Sequence, residues 1–342
     1  MKGLKNVLTA AACVAACAVS AAGLAACDGG DGGRTTPTVT VTYAADGSAL
    51  MPLLKKGDID YAFLAEPAAT TAVNNLGKSI VMDVQAQWRE VFGGEYPQAC
   101  LVAKGDIVKN DKAFIDGFIA AVAASDGWAE QNPDKTVAAV KANMESGTQS
   151  TLAALTGDII SRCNIETVAA ENSKAGCATY FDRLSKLKNE LDKPVLSKAP
   201  DDGFYYVAGE AADGAPVGKT YNVYMPDGAP AIALAKLMDE GYADASFTVV
   251  QASTIAQRVS SGAADLAIMP INAAATLYNG GKDIVMLTVN THGNLYVVGD
   301  GDDIDLNGLA GKRVGVIGQG NVPDLTLRML LGERGMEMAV KA

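Results

Sequence analysis

The sequence predicts an α/β protein of two lobes, each a mixed, mostly parallel sheet flanked by helices, with one lobe divided between the two ends of the chain. Three observations lead there. Short β-branched runs alternate with helical patterns, as in βαβ units. One stretch of the chain occurs twice, and its second copy starts near the carboxyl terminus and continues near the amino terminus. A length of 342 residues suits two such lobes better than one core.

The repeat is read residue by residue. Gly57-Asp58-Ile59-Asp60-Tyr61-Ala62-Phe63-Leu64 parallels Gly262-Ala263-Ala264-Asp265-Leu266-Ala267-Ile268-Met269. The likeness continues through Ala68-Ala69 against Ala273-Ala274, and Thr71 against Thr276. Gly77-Lys78 with Ile80-Val81-Met82 then matches Gly281-Lys282 with Ile284-Val285-Met286. Each copy reads as a helix end, a short buried strand, a helix and another strand.

Between Thr220 and Asn290 the unit is uninterrupted. A strand over 221–225 turns at Pro226-Asp227-Gly228 into a helix over 229–239. A strand over 246–251, a helix over 254–260, a strand over 265–269 and a helix around 273–278 complete it. The divided copy opens with a strand over 313–317, the turn Gly318-Gln319-Gly320-Asn321 and a helix over 323–332. Only 338–341 remains for the strand due next, and the continuation stands at the other end: strand 38–43, helix 48–55, strand 60–64. Circular permutation is the simplest account, because chain ends that meet in an exposed loop tolerate it. A truncated or fused gene whose pieces pair between molecules is the alternative.

At the amino terminus Lys2 and Lys5 precede an apolar run over 7–22 and then Leu24-Ala25-Ala26-Cys27. The length and the small residues at its end predict a signal peptide and not a retained span. Leu-Ala-Ala-Cys resembles a bacterial lipobox, which implies cleavage before Cys27, lipidation of its thiol and anchorage on the outer face of the cytoplasmic membrane. An ordinary secretory peptide is the alternative. Cys13 and Cys17 leave with the signal, so Cys100, Cys163 and Cys177 remain. Cys100 lies in an apolar strand as a buried free thiol; Cys163 and Cys177, 14 positions apart, are candidates for a disulfide. No Cys/His spacing suggests zinc, the sole histidine is His292, and no cofactor is expected.

Net charge is −11, and −13 once residues 1–26 are set aside. An acidic chain without Lys/Arg clusters is a poor binder of nucleic acid and of anionic lipid, and its charge keeps it soluble.

Laid out in permuted order, 221–342 followed by 38–206, the chain resembles type II periplasmic binding proteins of the nitrate/taurine/sulfonate ABC importer group. The likeness is carried by Tyr-Met-Pro-Asp-Gly-Ala-Pro-Ala at 224–231, Ala-Asp-Leu-Ala-Ile-Met-Pro-Ile-Asn at 264–272 and Gly-Val-Ile-Gly-Gln-Gly-Asn-Val-Pro-Asp at 315–324. Ile-Asp-Tyr-Ala-Phe-Leu-Ala-Glu-Pro at 59–67 and Glu-Tyr-Pro-Gln-Ala-Cys-Leu-Val at 95–102 add to it. It implies two lobes joined by crossover strands near 293–298 and 97–103, with ligand trapped between them. The expected organisation is a signal peptide over 1–26, a lipidated flexible linker over 27–37, lobe 2 over 38–103 and 301–342, a helical segment over 104–206 packed on lobe 1, and lobe 1 over 207–300.

Open α/β sheets bind ligands beyond the carboxyl ends of their strands, and that rule selects a site without appeal to family. Pro226-Asp227-Gly228-Ala229 and Gly318-Gln319-Gly320-Asn321 each follow a strand and open a helix, whose free N–H groups suit an anion. Such turns also serve as plain helix caps. Pro270-Ile271-Asn272 and Glu66-Pro67 hold matching places after the third strands. Asn272 is a candidate donor, while Glu66 favours an amine or hydroxyl, or else pairs within its own lobe. Asn290 and Thr291 precede a crossover and reach toward the cleft, as would His292, more often a surface residue. Phe63, Trp88, Phe92 and Tyr96 either stack on an organic ligand or fill the core.

The expected function is capture of a small anionic or zwitterionic solute, such as a sulfonate or thiamine-precursor-like compound, for an ABC permease and its ATPase, by a monomer that is not an enzyme. A sensor without a transporter is one alternative, and a biosynthetic enzyme on the same fold is another. Catalysis on this fold needs activated His, Cys or Lys groups in the cleft, which the sequence does not supply.

Overall fold

A computed structural model describes residues 36–148, 150, 152, 155–189, 191–209 and 219–341. The expected signal peptide, Cys27 and nearly all of the linker lie outside the described residues. Thr36–Ala342 form one compact unit.

Among the described residues, twelve strands build two mixed sheets of six, flanked by helices. The first sheet has the order β12-β1-β11-β2-β10-β3, from Glu337–Val340, Thr38–Ala44, Arg313–Ile317, Tyr61–Ala65, Leu295–Gly299 and Ser79–Asp83. The second has the order β5-β9-β4-β8-β6-β7, from Ile165–Ala169, Ile284–His292, Pro97–Lys104, Leu266–Pro270, Tyr221–Pro226 and Ala245–Val250. Five strands of each follow one plan. In β1-β11-β2-β10-β3 and in β7-β6-β8-β4-β9, the first three run parallel and the fourth antiparallel to both its neighbours. The repeated sequence accounts for the correspondence, since its strands β2 and β8 hold the same third place. The strand at 313–317 stands as expected, beside β1 from the other end of the chain.

Crossovers are expected near 97–103 and 293–298, and the chain passes between sheets at 93–96 and at Gly293-Asn294. β4 pairs along its length with β8 and β9 of the second sheet, and β10 with β2 and β3 of the first, so each passage falls just before the strand rather than after it. Both are buried strands with ladder partners on each side, as a buried backbone must satisfy its N–H and C=O groups. The helix expected over 229–239 is also broken, into Ala229–Ile232 and Ala235–Glu240, where buried Leu234 adopts φ −107° and ψ 7°.

Alternation along β2 shows how the layers form. Phe63 enters the main core, while Ala62 and Leu64 face Leu50, Leu54, Ala69 and Ala72 of the helices Gly47–Lys56 and Ala68–Leu76. Gly315 in β11 permits that helix layer to approach: a Cβ there would stand 2.6 Å from Ile59 Cδ1 and 2.7 Å from Leu50 Cδ2. Trp88, Phe92 and Tyr96 form an aromatic cluster, with Trp88 centred 4.4 Å from Phe92 and 4.7 Å from Tyr96. Cys100, Cys163 and Cys177 are all buried free thiols, so the Cys163–Cys177 pairing is not formed. Among the described residues no helix is long and apolar enough to cross a membrane.

Candidate functional site

The carboxyl ends of β1, β2 and β11 in the first sheet meet those of β6, β7 and β8 in the second around two adjoining cavities of about 160 and 200 Å³. Ala45, Ala65, Gln98, Asp227, Ala229, Pro230, Ala252 and Ile317 line both.

Local chemistry shapes each turn. After β1, Asp46 Oδ1 accepts the Ala49 amide at 3.1 Å and the Ser48 hydroxyl at 2.6 Å, capping the helix Gly47–Lys56. After β6, Gly228 takes φ 98°, a conformation that favours glycine, so the chain turns straight into Ala229. After β11, the Gly320 amide donates to Asp324 Oδ2 at 2.8 Å. Asp324 is fully buried, and its Oδ1 accepts Tyr43 Oη–H at 2.6 Å and Arg328 Nε–H at 2.8 Å. Burial first, and then Asp324, push the Tyr43 phenol far above its ordinary value, so it stays protonated and donates.

Three contacts join the sheets at the site. Asn272 Nδ2 donates to the Gly320 carbonyl at 3.0 Å. Glu66, with no exposed side-chain surface, accepts Arg162 Nε–H at 2.9 Å, Thr70 Oγ–H at 2.6 Å and the Thr70 amide at 3.0 Å. Asn294, on the second passage between sheets, exchanges bonds with Gln98 at 2.7 and 3.0 Å, and its carbonyl accepts the Glu66 amide at 2.9 Å.

Among the described residues no lysine or arginine lines either cavity; Asp46, Glu66 and Asp227 do. Asp46 is engaged as a helix cap and Glu66 as an ion pair. The helices Ile271–Asn279 and Val322–Glu333 begin at the site with no side-chain cap from the residue before them, which leaves amide N–H groups and a partial positive charge there.

Of the residues the sequence singled out, Pro226, Asp227, Gly228, Ala229, Pro270, Thr291, Asn321, Glu66 and Pro67 lie on the cavity walls. Asn272 and Gly320 bridge behind them, and Gln319 sits in the same turn. Phe63 and Ile271 line neither cavity, and both are fully buried in the core. Asn290 is fully buried too and bonds to Thr288 and Thr167. Trp88 and Tyr96 are core, and His292 lines neither cavity. Sequence reasoning missed Ala45, Asp46, Gly47, Ser48, Gln98, Gln251, Ala252 and Asn294. The carboxyl-end rule applied to the strand at 38–43 would have reached Asp46-Gly47, an Asp-Gly turn like Asp227-Gly228.

Among the described residues, no group of three or more His, Cys, Asp or Glu could hold a metal ion. No protein-family model matches the chain, and no curated protein matches it.

Proposed function

We propose that the protein is an extracytoplasmic solute-binding lipoprotein of an ABC importer, a two-lobed type II periplasmic-binding-protein fold in permuted order, anchored through Cys27. It captures a small anionic or zwitterionic organic solute, such as a sulfonate or thiamine-precursor-like compound, and delivers it as a monomer to the permease and ATPase. The observation that carries the reading is the cavity between the carboxyl ends of two sheets of like strand order, with walls from both. The uncapped starts of Ile271–Asn279 and Val322–Glu333 support an anionic end on the solute, and the Arg162 partner of Glu66 offsets one of the acidic charges on the walls. Gln98 and Asn321 offer donors and acceptors for its polar end.

The test is a thermal-shift screen against sulfonates, nitrate, carboxylates and thiamine precursors. A solute at about 100 times its dissociation constant stabilises the native state by about 2.7 kcal/mol. A cooperative melt that no solute of these classes displaces would overturn the reading.

A further inference from the structure

The end of the first sheet opposite the cavity carries a pocket of about 400 Å³ at the amino ends of its parallel strands. Lys55 and Lys56 close the helix Gly47–Lys56, Lys78 precedes β3 and Lys312 precedes β11; all four line it, together with Asp60 and Asp300. Both acids are taken. Asp60 receives Arg313 through Nη2 at 2.5 Å and Nε at 3.2 Å, and Asp300 receives Lys78 at 2.5 Å. Lys55, Lys56 and Lys312 are exposed, and among the described residues none of them pairs with a carboxylate. Lys141, Lys193 and Lys198 are likewise exposed and in no ion pair among the described residues, but they do not line this pocket. Three exposed lysines with no carboxylate partner among the described residues line one concavity of a chain whose net charge is −11. Like charges so placed repel, and an anion between them relieves it.

The place of the pocket selects the anion. Lys312 is bonded to the first residues of β1: its carbonyl accepts the Thr40 amide at 2.9 Å, and the Gly311 amide donates to Thr38 at 2.9 Å. The chain before Thr38 therefore joins the fold at the rim of the pocket. If Cys27 carries lipid, the stretch from 27 to 38 reaches at most roughly 40 Å. A lipid chain and a basic patch are the two signals that together give stable membrane attachment.

We infer that this pocket docks the headgroup of an anionic phospholipid and steadies the anchored protein with its solute cavity at the opposite ends of the same strands. The inference rests on the lipoprotein reading above. The full chain, held in non-ionic detergent micelles, is titrated calorimetrically with dihexanoyl phosphatidylglycerol, dihexanoyl phosphatidylcholine and inorganic phosphate. Phosphatidylglycerol binds more tightly than phosphatidylcholine, and added salt weakens it. The triple variant Lys55→Gln, Lys56→Gln, Lys312→Gln loses roughly tenfold or more of that affinity, each lysine near an anionic surface contributing several-fold. The control Lys141→Gln, Lys193→Gln, Lys198→Gln, equal in charge and exposed, retains it. Equal binding of the two lipids, or equal loss in both variants, overturns the inference. Phosphate that competes as strongly as phosphatidylglycerol also overturns it, in favour of a soluble anion. Solute-induced stabilisation is retained in the triple variant, so a failed lipid titration with intact stabilisation refutes only the docking site.

Discussion

The carboxylate of Glu66 receives the Arg162 Nε–H at 2.9 Å, and this contact ties the turn after β2 of the first sheet to the segment that leads into β5 of the second. Arg162 also donates to Thr70 at 2.8 Å, and its carbonyl accepts the Tyr296 hydroxyl at 3.2 Å. Arginine is 38% exposed and glutamate not at all, so the two ends of the pair are unequal.

Removal of Arg162 strands a buried carboxylate. Arg162→Gln is expected to destabilise the protein by about 2–4 kcal/mol, below the limit for a fully buried pair because the arginine is partly solvated. In urea unfolding, Glu66→Gln with Arg162→Gln costs less than the two single changes together, by about 1 kcal/mol or more. Additive costs would show that the pair contributes nothing of its own.

Ala252 lines both cavities and is exposed. Ala252→Phe places a ring in the space assigned to solute while changing the unliganded stability by no more than about 0.5 kcal/mol. A solute that stabilises the parent protein should leave the variant's melting temperature unmoved. Undiminished stabilisation would place the solute elsewhere.

Arg313 beside Asp60 holds that carboxyl below its ordinary value of 3.8. A group with a depressed folded value stabilises the native state fully above the ordinary value and loses that contribution as pH falls through the folded one. The stability difference between the parent and Asp60→Asn is therefore constant well above pH 3.8 and shrinks below it. Solvent screening keeps the difference under about 1 kcal/mol. A difference that grows on acidification would contradict the assignment.

Burial pushes the Cys177 thiol up to about 11 and those of Cys100 and Cys163 well above their ordinary value. Thiolate is the reactive form, so none of the three should be alkylated in native protein at neutral pH, and all three should be in urea without reductant. Peptide mapping that finds Cys163 joined to Cys177 would refute the free-thiol state.

The strand ends were the most legible part of the fold. β11 was read at its observed bounds and β6 to within one residue, because β-branched runs end in Gly, Pro and Asp turns. Sheet membership was not legible for β4 or β10, since a buried central strand looks the same whichever ladder it completes. Side-chain direction at the candidate site was not legible either. Phe63 lies a few residues before Glu66 but belongs to the core, and Asn290 stands where β9 slips register against β4 and is buried, while its neighbour Thr291 lines the cavity. The lysine pocket could not be seen as a cluster, because Lys55, Lys78 and Lys312 are far apart in the chain and meet only when β2 lies against β11 and β10 joins β2 to β3.

The two passages between the sheets are themselves packed together. A Cβ at Gly293 would stand 2.7 Å from the Tyr96 ring, and Gln85 Oε1 accepts both the Tyr96 hydroxyl at 3.1 Å and the Leu295 amide at 2.7 Å. The two passages are therefore held at a single place, and a change in one is felt by the other. A methyl group at Gly293 would press into the Tyr96 ring and disturb both passages at once.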